Sequence, residues 1–90
     1  MAKIRFLFMV TIRFFAIYRE KAKVDKIEIA LEESITVRDL LEIVKERIPS
    51  IKDPVMEGKG MVAVNQEVAK PDTIVNDGDE VALIPPVSGG

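Results

Sequence analysis

The sequence predicts an α+β domain, a mixed sheet of about five strands with one main helix packed on one face. Three observations predict it. Apolar residues alternate with a period of two in residues 10–17, 24–31 and 80–84, as in half-buried strands. Between residues 36 and 48 the period lengthens to that of an amphipathic helix. Segments rich in proline, glycine and asparagine separate these stretches, as turns and loops require.

In the first stretch, VTIRFFAI at 10–17, Val10, Ile12, Phe14 and Ala16 alternate with Thr11, Arg13, Phe15 and Ile17. In the second, VDKIEIAL at 24–31, Ile27, Ile29 and Leu31 face inward while Lys26, Glu28 and Ala30 face out. Residues 18–23 are mostly polar and are expected to close a hairpin between the two strands. Val37, Leu40, Leu41, Val44 and Ile48 then fall on one helical face. Thr36 is the expected N-cap with Asp39 three residues on, and Pro49 ends the helix. Lys45 and Arg47 suit the negative end of its dipole. Residues 49–60 read as an irregular loop. Residues 61–64 read as a short strand, Asn65-Gln66 as a tight turn and 67–69 as its return. After a connector at 71–75, Asn76-Asp77-Gly78-Asp79 forms a turn in which Gly78 can take a positive φ. EVALI at 80–84 is the last strand, closed by Pro85-Pro86.

Residues 10–84 are thus expected to form the domain, and 85–90 a flexible C-terminal tail. Residues 1–9 either extend the domain or lengthen its first strand, since KIRFLF at 3–8 echoes TIRFFA at 11–16.

The composition narrows the chemistry. The 90 residues include no cysteine, no histidine and no tryptophan. That excludes disulfide scaffolds, zinc sites built on Cys or His, thiol nucleophiles and Ser-His or Cys-His dyads. Thirteen Lys+Arg against 15 Asp+Glu leave a net charge of −2, with no basic stripe of the kind that binds nucleic acid. The apolar N-terminal run is interrupted by Arg5 and Arg13 and falls short of the about 20 residues that span a bilayer. The expected partners therefore exclude nucleic acid and membrane, and the expected location is the cytoplasm.

Two features remain for function. Thr11 and Arg13 label one face of the first strand as wet, yet Phe15 follows them on it; Glu80 labels the same face of the last strand, yet Ala82 and Ile84 follow. Val68 on the short return could join Phe15 and Ile84. Such a group reads either as ordinary exposed apolar surface or as a patch for a partner. The second feature is the ending Pro85-Pro86-Val87-Ser88-Gly89-Gly90. Two prolines stiffen the exit from the sheet, and six residues at up to ~3.3 Å each reach about 20 Å. Two glycines without Cβ atoms then let the backbone enter a narrow channel in another protein.

VTIRFFA at 10–16, TVRDLL at 36–41, VAVNQE at 62–67 and above all DGDEVALIPPVSGG at 77–90 resemble the small-subunit family of molybdopterin synthase (MoaD), ubiquitin-like sulfur carriers of β-grasp fold. The resemblance covers residues 10–90. The departures are the first eight residues and Ala22-Lys23, where relatives often have a glycine.

The resemblance implies a cycle with no catalytic side chain in this chain. A carboxylate is a poor acyl donor, so an adenylating, ubiquitin-activating-like enzyme uses ATP and Mg²⁺ to turn the Gly90 carboxylate into an acyl-adenylate. Sulfur transfer then gives a thiocarboxylate. Pro85, Pro86, Val87, Ser88 and Gly89 thread the tail into the active site of a large synthase subunit, where the sulfur passes to a cyclic pyranopterin precursor of the molybdenum or tungsten cofactor. Phe15, Val68 and Ile84 match family positions that meet the large subunit, two copies of each forming a heterotetramer. No cofactor or metal is expected on the chain itself. Alternatives that use the same tail are an archaeal-type protein modifier, joined through Gly90 to lysines, and a thiazole-synthesis sulfur carrier. A ubiquitin-like binding module with an inert tail is the remaining one.

Overall fold

Residues 8–51 and 61–85 are described in the computed structural model of the protein. Strand β1 (Phe8–Phe14) runs into a short helix α1 (Ala16–Ala22), and β2 (Lys26–Leu31) follows. A two-residue strand β3 (Ile35–Thr36) leads into the main helix α2 (Val37–Arg47) and one 3₁₀ turn at Pro49–Ile51. β4 (Met61–Val64), β5 (Glu67–Val68), β6 (Ile74–Val75) and β7 (Glu80–Ile84) complete the chain. Five strands form one sheet in the order β2-β1-β7-β4-β5, and β3 pairs with β6 separately. β1 and β7 are parallel neighbours at the centre, and the other pairs are antiparallel. This is the α+β, β-grasp arrangement that the sequence predicts.

The alternation explains the core. Val10, Ile12 and Phe14 of β1, Ile29 and Leu31 of β2, and Val81 and Leu83 of β7 are buried together beneath Val37, Leu40 and Val44 of α2. Leu41 and Ile48 lie half-buried at the margins of the helix contact, as the helical spacing predicts. The start of α2 is fully provided for. Thr36 Oγ1 accepts from the Asp39 N–H at 3.1 Å, while the Val37 and Arg38 N–H groups donate to the carbonyls of Thr73 and Pro71, each at 2.9 Å. Such partners replace the bonds that the first turn of a helix cannot make internally.

Two tight turns hold the central strands. Asn65 and Gln66 both have positive φ, 50° and 72°, as a two-residue type I′ hairpin loop requires. Gly78 takes φ 83° in the turn before β7. Its N–H donates to the Met9 carbonyl at 2.9 Å, and the Met9 N–H donates to Asp77 Oδ1 at 2.7 Å. The turn therefore clamps β1 beside β7. β1 begins at Phe8, which stands opposite Leu31, and Met9 stands opposite Ala30. Residues 1–7 lie outside the described residues.

The connection between the first two strands corrects the sequence reading. Residues 10–17 read as strand and 18–23 as polar connector, but β1 ends at Phe14 and residues 16–22 are helical. Tyr18 is buried and Ala22 half-buried, one helical turn apart, while Arg19, Glu20 and Lys21 face out. With a single buried residue in seven, the segment carries too little apolar repeat to show a helical period. Lys23 ends the helix in the left-handed region at φ 66°, its N–H donating to the Arg19 carbonyl at 2.8 Å. β2 accordingly starts at Lys26, two residues later than the alternation suggests, and leaves Val24 exposed.

Candidate functional site

The helix covers one face of the sheet and leaves the other open. On the open face, side chains line up in rows fixed by strand register. Lys26, Arg13, Ala82, Ala63 and Val68 follow one another across β2, β1, β7, β4 and β5. In the neighbouring row Ile84 stands opposite Met61. Carrying the β1–β7 register one residue beyond Phe14 and Leu83 sets Phe15 beside Ile84. Phe15 is still extended, at φ −125° and ψ 150°, so the alternation of β1 carries through to it. Phe14 goes into the core and Phe15 comes out.

The two rows make an apolar patch of Phe15, Ile84, Met61, Val68 and Ala82, with Ala63 beneath them. Phe15 is 40% exposed, Met61 47% and Val68 71%. Ile84 is partly covered by its neighbours. The polar edge of the patch is organised. Arg13 reaches Glu80 at 3.7 Å, and its guanidinium carbon lies 5.9 Å from the Phe15 ring centroid. An apolar centre with a charged edge is the usual anatomy of a protein–protein contact. Here three strands and the entry to α1 hold it on rigid backbone.

The structure thus sets Phe15, Val68 and Ile84, the three residues singled out from the sequence, on the same face of the sheet. Met61 was missed. MVAV at 61–64 has no polar residue to label either face, so only the pairing with β7 shows that Met61 and Ala63 point to the open side. Pro85 is half-buried directly after Ile84, so the chain leaves the sheet from the edge of the patch. Pro86, Val87, Ser88, Gly89 and Gly90 lie outside the described residues.

Other places offer less chemistry. A cavity of about 460 Å³ opens beside α2, where Tyr18, Leu41, Lys45 and Leu83 share its walls with Met61 and Val68 of the patch. Lys45 is nearly buried there and donates to Glu42 Oε1 at 3.1 Å. Among the described residues no group of three or more Asp and Glu side chains is placed to hold a metal ion, and no helix is long and apolar enough to cross a membrane.

Comparison with known proteins agrees with the fold. The family model described as the ThiS family matches residues 12–90. The chain is similar to the molybdopterin synthase sulfur carrier subunit of Escherichia coli, 37% identical over 82 residues that make up 91% of this chain and 100% of that one. In structure it is similar to SAMP1 of Haloferax volcanii, with a TM-score of 0.82 and 30% identity over 91% of this chain and 99% of that one. Another structure of the latter calls it small archaeal modifier protein 1. It is also similar to a chain in the complex of subunits 1 and 2 of the molybdopterin-converting factor of Helicobacter pylori, with a TM-score of 0.65 and 29% identity over 91% of this chain and 99% of that one.

Proposed function

The chain belongs to the ThiS family, and from that premise we propose that it is the sulfur carrier and small subunit of a molybdopterin synthase. One observation carries the reading beyond its relatives: the apolar patch and the exit of the chain after Pro85 are contiguous. A large subunit that covers Phe15, Met61, Val68 and Ile84 receives residues 86–90 at the same time, so docking also delivers the tail.

The chemistry follows from the tail rather than from a side chain. In an adenylating partner, an oxygen of the Gly90 carboxylate attacks the α-phosphorus of Mg²⁺-bound ATP, and pyrophosphate leaves. The acyl-adenylate now has a good leaving group. Sulfur at the sulfide level attacks the acyl carbon and displaces AMP, leaving a thiocarboxylate. Its sulfur then attacks an oxygen-bearing carbon of the pyranopterin precursor in the large subunit, and that carbon–oxygen bond breaks with the oxygen leaving as phosphate or water. Hydrolysis of the resulting acyl–sulfur bond returns the Gly90 carboxylate. Gly89 and Gly90 suit this because neither carries a Cβ to block the channel. The catalytic side chains belong to the partners, and this chain supplies the acyl carrier and the docking surface.

The test is an intact mass of the full chain after incubation with its adenylating enzyme, ATP and a sulfur donor. Exchange of one oxygen for sulfur at the C-terminal residue is expected; a chain that remains wholly a carboxylate refutes the proposal. The likeness to SAMP1 gives a second reading, attachment through Gly90 to lysines of other proteins. It predicts higher-mass conjugates in cell extract that disappear when Gly90 is deleted.

A further inference from the structure

β2 is an edge of the five-stranded sheet, and among the described residues β1 is its only strand partner. The phase of that pairing decides what the free edge offers. Phe14 N–H donates to the Asp25 carbonyl at 2.8 Å. In an antiparallel ladder alternate residues bond to the same neighbour, so Asp25, Ile27 and Ile29 turn their backbone groups to β1. Lys26, Glu28 and Ala30 turn theirs outward. The side chains of these three are exposed on the open face, and the ion pairs among the described residues involve neither Lys26 nor Glu28. Lys26 also stands directly beside Arg13 in the register, a like-charge neighbour that disfavours the pair.

A strand edge with free donors and acceptors is a template for another strand, and proteins commonly blunt it with charged side chains, which keep a second copy away when they share one sign. On β2 the signs alternate instead. We propose that β2 is a self-pairing edge, through which two copies of this chain join antiparallel about a two-fold axis at Ile27. In that register Lys26 meets Glu28 of the second copy and Glu28 meets its Lys26, each pair exchanging both backbone hydrogen bonds. Lys26 thereby gains a carboxylate on the side away from Arg13. Sliding the strands by two residues in either direction sets Glu28 against Glu28 or Lys26 against Lys26, so charge selects the register. The core side agrees. Ile29 and Leu31 are buried by this chain alone, but Ile27 is only half-buried. At the axis two Ile27 residues meet as a non-hydrogen-bonded pair, about 4.5 Å apart at Cα, and cover one another.

The self-pairing edge lies at the opposite end of the sheet from β4 and β5. A copy paired through β2 therefore keeps its patch of Met61, Val68 and Ile84 for a different partner. A contact of one strand is small, which predicts a weak dimer that forms with rising concentration.

Sedimentation equilibrium of the full chain at low ionic strength tests this. A monomer–dimer equilibrium is expected, weakened at least about tenfold by Glu28→Lys or Lys26→Glu, since each change turns two attractive pairs repulsive. The double variant K26E/E28K restores it. Hydrogen exchange gives a second reading in which, with rising concentration, the Lys26 and Glu28 amides slow while Ile27 and Ile29, already bonded to β1, do not. Three results overturn the proposal. One is a monomer at all concentrations with unchanged exchange. Another is a dimer that Glu28→Lys leaves intact. The third is a double variant that associates no better than the single ones.

Discussion

The two faces of the sheet are built from the same strands and differ in one respect. On the covered face of β1 and β7, Val10, Ile12, Phe14, Val81 and Leu83 are all buried against α2. On the open face the same strands carry Thr11, Arg13 and Glu80, and then Phe15 and Ile84. Burial of apolar surface is what holds a small domain together. Apolar side chains grouped on one face without cover from their own chain add nothing to that term and are available to a partner. The covered face accounts for stability, and under the proposed function the open face serves recognition. Each can be damaged without the other.

The largest effect is expected on the covered face. Leu40 of α2 is completely buried, and Leu40→Ala removes a core side chain at a cost of about 2–5 kcal/mol. Denaturant unfolding should show this as a lower midpoint with an unchanged slope. The folded fraction should still bind the large subunit with unaltered affinity. A loss below about 1 kcal/mol would mean that α2 does not cover the sheet as its burial indicates.

Phe15→Arg is the counterpart on the open face. Replacing the aromatic anchor with a second cation beside Arg13 should weaken binding to the large subunit by about 2 kcal/mol or more, roughly 30-fold. The variant's own stability should fall by no more than about 1 kcal/mol, because Phe15 is 40% exposed. Titration calorimetry with the purified large subunit measures the first quantity. Unchanged affinity would remove the patch from the interface.

Asn65 sharpens the comparison because it touches neither apolar group yet supports the position of one. It starts the type I′ loop between β4 and β5, its Oδ1 accepts from the Glu80 N–H, and its Nδ2 donates to Asp79 Oδ1, both at 2.9 Å. Asn65→Ala loses both bonds and the tolerance for positive φ, so about 1–2 kcal/mol of stability should be lost. Val68 lies three residues further on, in β5. Affinity for the large subunit should therefore drop as well, but by less than in Phe15→Arg. A variant as weak in binding as Phe15→Arg would show that the loop itself, and not only the patch, is recognised.

What the sequence revealed follows the same division. α2 was legible because three turns repeat their apolar period and Thr36 marks the start. The open-face anomaly was legible on β1 and β7 because Thr11, Arg13 and Glu80 say which side is wet. β4 lacks such a label, so Met61 was invisible until its pairing with Ile84 was known. The parallel contact of β1 with β7, and the pairing of β3 with β6, depend on residues far apart in the chain and leave no local pattern. α1 was hidden for another reason. Ile17 and Tyr18 prolong the apolar run of β1, and one buried side chain cannot announce a helix.

The end of α1, at Ala22-Lys23, gives the smallest expected effect. Lys23 has φ 66°, a conformation that costs a residue with a Cβ about 1–2 kcal/mol and a glycine nothing. Lys23→Gly removes that strain but gives the unfolded chain more freedom, which takes back about 0.5–1 kcal/mol. A net gain of up to about 1 kcal/mol should remain, visible as a higher denaturation midpoint. Lys23 is exposed and belongs neither to the core nor to the patch, so affinity for the large subunit should not move. If affinity rose with stability, the α1 turn would be setting the direction of Phe15. The two faces would then share a control point at the one element that the sequence concealed.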